Sequence, residues 1–277
     1  MVIDSHQHFW NYDPSKHTWM SDEMEVIKKD FTPEMLSEIF QQQEIDGCVA
    51  VQADQSEGET DFLVSLASQN SFIKGVVGWV DLRASNLGDR LAHFKKFPVI
   101  KGFRHVVQDE PDPNFMLGKA FQNGIELLGQ YDFTYDILIF PNQLPAAISL
   151  SKTFPEQPFV LDHIAKPLIK ERKLEEWESH IRELAASPNV SCKVSGMVTE
   201  ADWSQWEYEH FVPYLEVIFD AFGVDRIMYG SDWPVCLLAA EYEKMKAIID
   251  QFISGFDEAQ KKAIMGGNAE RFYKLTS

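Results

Sequence analysis

Val2-Ile3-Asp4-Ser5-His6-Gln7-His8 begins as a short extended-chain run and ends in two histidines. Strand side chains alternate between faces with period two, so His6 and His8 project to the same side near the strand's C-terminal end. Such a pair can grip one metal ion or one substrate oxygen. Two histidines so spaced are common by chance, and their weight comes from what recurs downstream. Seven further β-branched or apolar runs follow, at 45–52, 73–80, 99–107, 133–140, 158–163, 190–195 and 226–232. Their starts are 25 to 43 residues apart, room for a strand, a loop, a helix and a return loop.

The segments between the runs carry helical stripes. Thr32 before Pro33 is an N-cap followed by proline at the first helical position, and Met35, Leu36, Ile39 and Phe40 then recur with helical spacing. Trp177, Ile181 and Leu184 form another such face. Eight strands alternating with helices predict a (β/α)8 TIM barrel. An open doubly wound sheet is the competing architecture, but no Gly-x-Gly-x-x-Gly or Walker-type loop follows any run. No internal repeat or Gly/Ser-rich linker marks a boundary, so one domain over 1–277 is expected. Segments 10–31 and 196–210 are longer than barrel loops need, and each carries tryptophans (Trp10 and Trp19, Trp203 and Trp206). Both follow strand C-terminal ends, where barrels place active sites, so they are candidate lids or pocket walls.

The 277 residues include 25 Lys+Arg against 43 Asp+Glu, a net charge of −18 that disfavours nucleic-acid and anionic-membrane partners. At 45% hydrophobic and 25% charged residues the composition is that of a soluble globular protein. No stretch approaches the ~18 apolar residues of a membrane span, and the start lacks a signal-peptide pattern, so a cytoplasmic location is expected. Cys48, Cys192 and Cys236 are odd in number and widely spaced, which suits a reducing compartment and offers no Cys-x-x-Cys metal site.

Two later runs end like the first. Asp162-His163-Ile164-Ala165-Lys166-Pro167 closes one with a histidine, and Gly230-Ser231-Asp232-Trp233-Pro234 closes the last with an aspartate. Together with Lys101-Gly-Phe-Arg-His105, Cys192-Lys-Val-Ser-Gly196 and Gly267-Asn268-Ala269, these motifs make the chain resemble the amidohydrolase superfamily. Within it, the likeness is to the branch of sugar-acid lactonases, acting on fuconolactone or rhamnonolactone, and of 2-pyrone-4,6-dicarboxylate lactonase. The resemblance covers nearly the whole chain and implies a barrel whose site is made by His6, His8, His163 and Asp232. Residues 133–140 contain no histidine, and Lys101 opens its run and should lie at the barrel bottom, so a two-metal centre is not expected. One zinc ion could be held by His6, His8 and Asp232, with His163 nearby. The lactonase branch can work without a metal, and no obligatory cofactor is expected.

Lactone hydrolysis needs an activated water, donors for the oxyanion and a proton for the ring oxygen. Asp232 is the candidate general base, in a site where desolvation could raise its pKa. His6, His8 and His163 are candidates for polarising the carbonyl. No Gly-x-Ser-x-Gly elbow is present, and Ser195 and Ser231 read as ordinary polar residues. Arg104 and His105 face opposite ways; His105 is preferred for the pocket and Arg104 for an outside ion pair, with the reverse kept open. Gln52 and Asp54 share parity and could bind sugar hydroxyls, while Trp79 and Trp233 could stack on a ring or simply be buried. His17, His93, His180 and His210 have no partners of matching spacing. With only Arg104 near the expected pocket, a neutral sugar lactone is favoured over a dicarboxylate. The competing functions are a zinc-dependent decarboxylase or hydratase of an unsaturated dicarboxylic acid, and a non-catalytic sugar-binding or scaffold protein on a barrel that has lost its activity. The expected partner is a small-molecule lactone, and oligomeric state is left undetermined.

Overall fold

The computed structural model describes residues 1–276. Its strands are β1 Ile3–Gln7, β2 Gly47–Val51, β3 Ile73–Gly78, β4 Ile100–Val106, β5 Thr134–Leu138, β6 Phe159–Leu161, β7 Val190–Val194 and β8 Ile227–Tyr229. They form one eight-stranded sheet in sequence order, and the paired neighbours are parallel. The two sheet edges meet just beyond β8. His8 N–H donates to the Trp233 carbonyl (2.7 Å), and Asp232 N–H donates to the His6 carbonyl (2.8 Å). The (β/α)8 barrel expected from the sequence is therefore present, and its seam runs through the residues singled out for chemistry.

The principal helices are α1 Pro33–Gln43, α2 Glu57–Gln69, α3 Leu87–Phe94, α4 Lys119–Gln130, α5 Leu144–Thr153, α6 Glu175–Ala185, α7 Val212–Phe222 and α8 Tyr242–Phe252. α1 starts with Thr32 at the N-cap and Pro33 inside it. Leu36, Leu91, Phe121, Ile125 and Ile181 bury the helix faces against outward strand residues such as Cys48, Phe103, Tyr135 and Leu161. A smaller inner cluster of Ile3, Val49, Val51, Val77, Val160 and Met228 fills the barrel, joined by Ala269 and Tyr273 from the C-terminal segment. Lys101 lies at this lower end, as its place at the start of a strand predicts, with Nζ donating to the Lys274 carbonyl (3.3 Å).

β1 departs from simple alternation. Asp4 pairs with Cys48 and Gln7 with Ala50, so three steps on β1 oppose two on β2, a bulge. Strict period two would put Asp4 beside His6 and His8. Instead Asp4 accepts from the Ser231 N–H (2.9 Å) and the Tyr242 hydroxyl of α8 (3.0 Å), outside the barrel. No helix among the described residues is long and apolar enough to cross a membrane.

Candidate active site

A cleft of about 270 Å3 opens at the C-terminal ends of the strands. His8, His163, Asp232 and Arg104 line it, with Trp10, Lys16 and Trp19 of the first long insert, Asp54 after β2, Asp109 after β4 and Lys166 after β6. The second insert contributes no lining residue: Trp203 and Trp206 donate to the carbonyls of Thr199 and Ala239 (both 2.9 Å).

Asp232 sits at φ 58°, a left-handed conformation that costs an L-residue about 1–2 kcal/mol and is found where a side chain must be aimed. Its Oδ1 is 3.3 Å from His8 Nε2, 3.8 Å from His163 Nε2 and 3.9 Å from His6 Nε2. His8 Nδ1 lies 2.8 Å from the Val51 carbonyl, an acceptor, so the ring proton belongs on Nδ1 in the neutral form. The free lone pair of His8 Nε2 then faces a carboxylate oxygen and, at 3.2 Å, His6 Nε2. Acceptors converging in this way need a cation between them, either a proton or a metal ion. Tetrahedral zinc with bonds of ~2.0–2.1 Å places its ligand atoms roughly 3.3 Å apart. The separations in the set His6, His8 and Asp232 run from 3.2 to 3.9 Å, so these residues can hold a zinc ion.

His163 starts a short left-handed turn: it, Ile164, Ala165 and Lys166 have φ of 53°, 49°, 60° and 48°. Trp177 Nε1 of α6 donates to the Ile164 carbonyl (2.8 Å) and pins the turn from outside. The His163 ring is fixed by Ser195 Oγ at 3.0 Å from Nδ1 and by Gly196, whose missing Cβ would lie 2.4 Å from that nitrogen. Ser195 is thus more than an ordinary polar residue.

Beneath the histidines lies a buried charged layer. Lys193 Nζ approaches Asp136 Oδ2 (2.5 Å), Asp162 Oδ1 (3.0 Å) and His6 Nδ1 (3.2 Å). Arg104 Nη1 meets Asp162 Oδ2 (3.1 Å), and the Tyr273 hydroxyl donates to Asp136 Oδ2 (2.7 Å). Burial pushes the Asp136 carboxyl up to about 6 despite Lys193. Burial acts on Asp162 in the same direction, but Lys193 and His6 outweigh it and hold that carboxyl well below its usual range. Loss of water around His6 and His163 drives both imidazoles well below their ordinary value. The sequence reading gave Lys193, Asp136, Asp162 and Tyr273 no role. A signal existed, since a charged side chain at an inward position of a buried parallel strand is costly unless paired.

Five further expectations are corrected. Burial alone would raise Asp232, yet His163, the His8 contact and Lys166 overcome it and leave the carboxyl below its ordinary value. Arg104, not His105, reaches the cleft. Phe103 packs outward against Phe94 and Phe133, so period two sends His105 to the same side, where it stacks on Phe115 and bonds Glu110 (2.7 Å). Asp54 lines the cleft, but Gln52 lies below it, its carbonyl accepting from Arg104 Nη2 and its Nε2 donating to the Arg104 carbonyl. Neither Trp79 nor Trp233 lines the cleft. Thr60 of α2 brackets the Trp79 backbone, and Trp233, 1% exposed, is wedged edge-on between Phe9 and Phe31. Finally, Arg104 is joined by Lys16 and Lys166, so the cleft has more positive charge than the sequence suggested.

The chain belongs to the amidohydrolase family, whose pattern it matches over residues 3–275. An L-fucono-1,5-lactonase of Burkholderia multivorans is 40% identical to it, over 99% of this chain and 96% of that protein. A second L-fucono-1,5-lactonase, from Burkholderia ambifaria, is 34% identical over 99% and 95%. The crystal structure of a Burkholderia multivorans amidohydrolase with bound zinc superposes with a TM-score of 0.97 at 39% identity, covering all of both chains.

Proposed function

We propose that this protein hydrolyses the lactone ring of a sugar-derived aldonolactone, with L-fucono-1,5-lactone as the reference substrate. The observation that carries the reading is the Asp232 carboxylate, ionised by its surroundings and ringed by three imidazoles at the floor of a polar cleft. Its likeness to two lactonases over nearly the full chain supports the choice of substrate.

Asp232 takes a proton from water as the oxygen attacks the lactone carbonyl, and returns it to the ring oxygen when the tetrahedral intermediate collapses. A carboxyl held below its ordinary value is fully ionised at neutral pH and so is ready to accept that proton. His163, kept neutral by burial and oriented through Nδ1 by Ser195, presents Nε2 to the reacting centre. Trp10 and Trp19 supply apolar walls and Asp54 an acceptor for a sugar hydroxyl. His6, His8 and Asp232 would hold a zinc ion, which when bound polarises a carbonyl and acidifies water. The proton steps belong to the chain itself, so turnover is expected to survive chelation.

The test is a pH-indicator assay of chelated protein against a panel of aldono-1,4- and 1,5-lactones, with Asp232→Asn as control. Acid release on a few related lactones, lowered about 10²–10⁴-fold in the variant with its circular dichroism unchanged, is expected. Silence across the panel, with zinc restored or not, would refute the reading.

A further inference from the structure

We propose that Lys166 is a second catalytic residue of this reaction: its ammonium donates to the carbonyl oxygen as the oxyanion forms, and then holds the product carboxylate. The inference rests on the lactonase reading and extends it. Lys166 ends the left-handed turn that begins at His163, and its N–H donates to the His163 carbonyl (2.8 Å). One rigid turn therefore places His163 and Lys166 together, and both side chains line the cleft with Asp232.

The cations of the site differ in what their hydrogens already do. Lys193 faces Asp136, Asp162 and His6, and the Nη atoms of Arg104 serve Asp162, His6 and Gln52. Lys16 is exposed, on the long insert. The Lys166 ammonium makes no hydrogen bond to another side chain or carbonyl among the described residues. Its nearest carboxylate, Glu200 Oε1, is 3.8 Å away, beyond hydrogen-bond range, and the Phe140 ring lies beside it at 5.6 Å. Both side chains of the pair are 19% exposed. Glu200, which does not line the cleft, thus balances the charge of Lys166 without occupying its donors. Three unused N–H groups on a wall of the cleft that the candidate base also lines are what a developing oxyanion requires.

In the step so described, water gives a proton to Asp232 and bonds to the carbonyl carbon, and the π electrons move to the oxygen facing Lys166. Lys166 donates a hydrogen bond and transfers no proton. The ring C–O bond then breaks and the ring oxygen takes the proton from Asp232. The new carboxylic acid releases its own proton to solvent and remains as a carboxylate against the ammonium.

The experiment compares Lys166→Met, Lys166→Arg and Glu200→Gln with wild type, by steady-state kinetics on the best lactone and by inhibition with the matching aldonate. Lys166→Met is expected to lower kcat about 10²–10³-fold, the loss typical of one oxyanion donor, and to weaken aldonate inhibition at least about tenfold. Lys166→Arg should recover part of both. Glu200→Gln removes the competing negative charge and should tighten aldonate inhibition. Wild-type kcat in Lys166→Met, or lost turnover with unchanged aldonate inhibition, would overturn the proposal. If Lys166→Met does not fold, unchanged or weaker inhibition in Glu200→Gln would do the same. A wild type silent on all lactones is a different result, because it removes the lactonase reading itself.

Discussion

Asp232 and His163, the carboxylate and one of the imidazoles at the proposed chemistry, both hold left-handed backbone conformations that a helix or strand would not give them. Such positions persist when neighbours over-determine them. For His163 the decisive neighbour is Gly196, itself at φ 63°, which leaves the imidazole room that any side chain would take. Gly196→Ala would put a methyl 2.4 Å from Nδ1 and 2.7 Å from Cγ, so the ring must leave Ser195 or the β7 end must shift. Adding the left-handed strain, we expect a loss of about 1–3 kcal/mol in urea unfolding and at least a tenfold fall in kcat. Wild-type values in both measurements would show that the ring position is not set by this contact.

At the scale of strands, β5, β6 and β7 carry adjacent inward charges, Asp136, then Asp162 just past β6, then Lys193, and the layer supports His6 from below. Removing one partner from a buried pair leaves an uncompensated charge, usually at a loss of about 3–5 kcal/mol. Lys193→Met should therefore lower the urea midpoint strongly, while adding Asp136→Asn should restore part of the loss. Additive losses in the two variants would mean that the groups are not coupled. The eight strands were legible because buried parallel strands are short apolar runs at regular spacing, and Asp232 and the three histidines were legible because each ends such a run. What period two could not convey is where the period breaks: the β1 bulge, and the left-handed turn carrying Lys166 into the cleft. His105 failed for a different reason, since alternation gives two faces without saying which is inside. The bulky Phe103 beside Arg104 was the clue, because an aromatic of that size belongs between the sheet and the helices.

Across the whole molecule, the acids that burial raises and the imidazoles that burial lowers pull stability in opposite directions with pH. Burial raises Asp4 and Asp136 to about 6 and Glu59 to about 7. Such groups hold protons more tightly folded than unfolded, so their contribution is complete below about pH 4 and is lost as pH rises through 6 to 7. His6 and His163 are lowered, so their contribution is present above the ordinary histidine value near 6.5 and is lost as pH falls below it. The two slopes oppose each other between pH 4 and 6.5, and only the acid term continues above. Glu59 isolates that term, for it lies outside the charged layer and its Oε1 accepts from the Ala53 N–H (3.1 Å), a bond glutamine can keep. A rise from 4.5 to about 7 is worth at most about 3–4 kcal/mol, and partial solvent contact reduces this to about 1–2 kcal/mol. Urea unfolding of Glu59→Gln and wild type at pH 5 and pH 8 should show the variant gaining that amount on the wild type as pH rises. A difference that stays constant between the two pH values would mean that Glu59 titrates in the folded protein as it does in the unfolded chain.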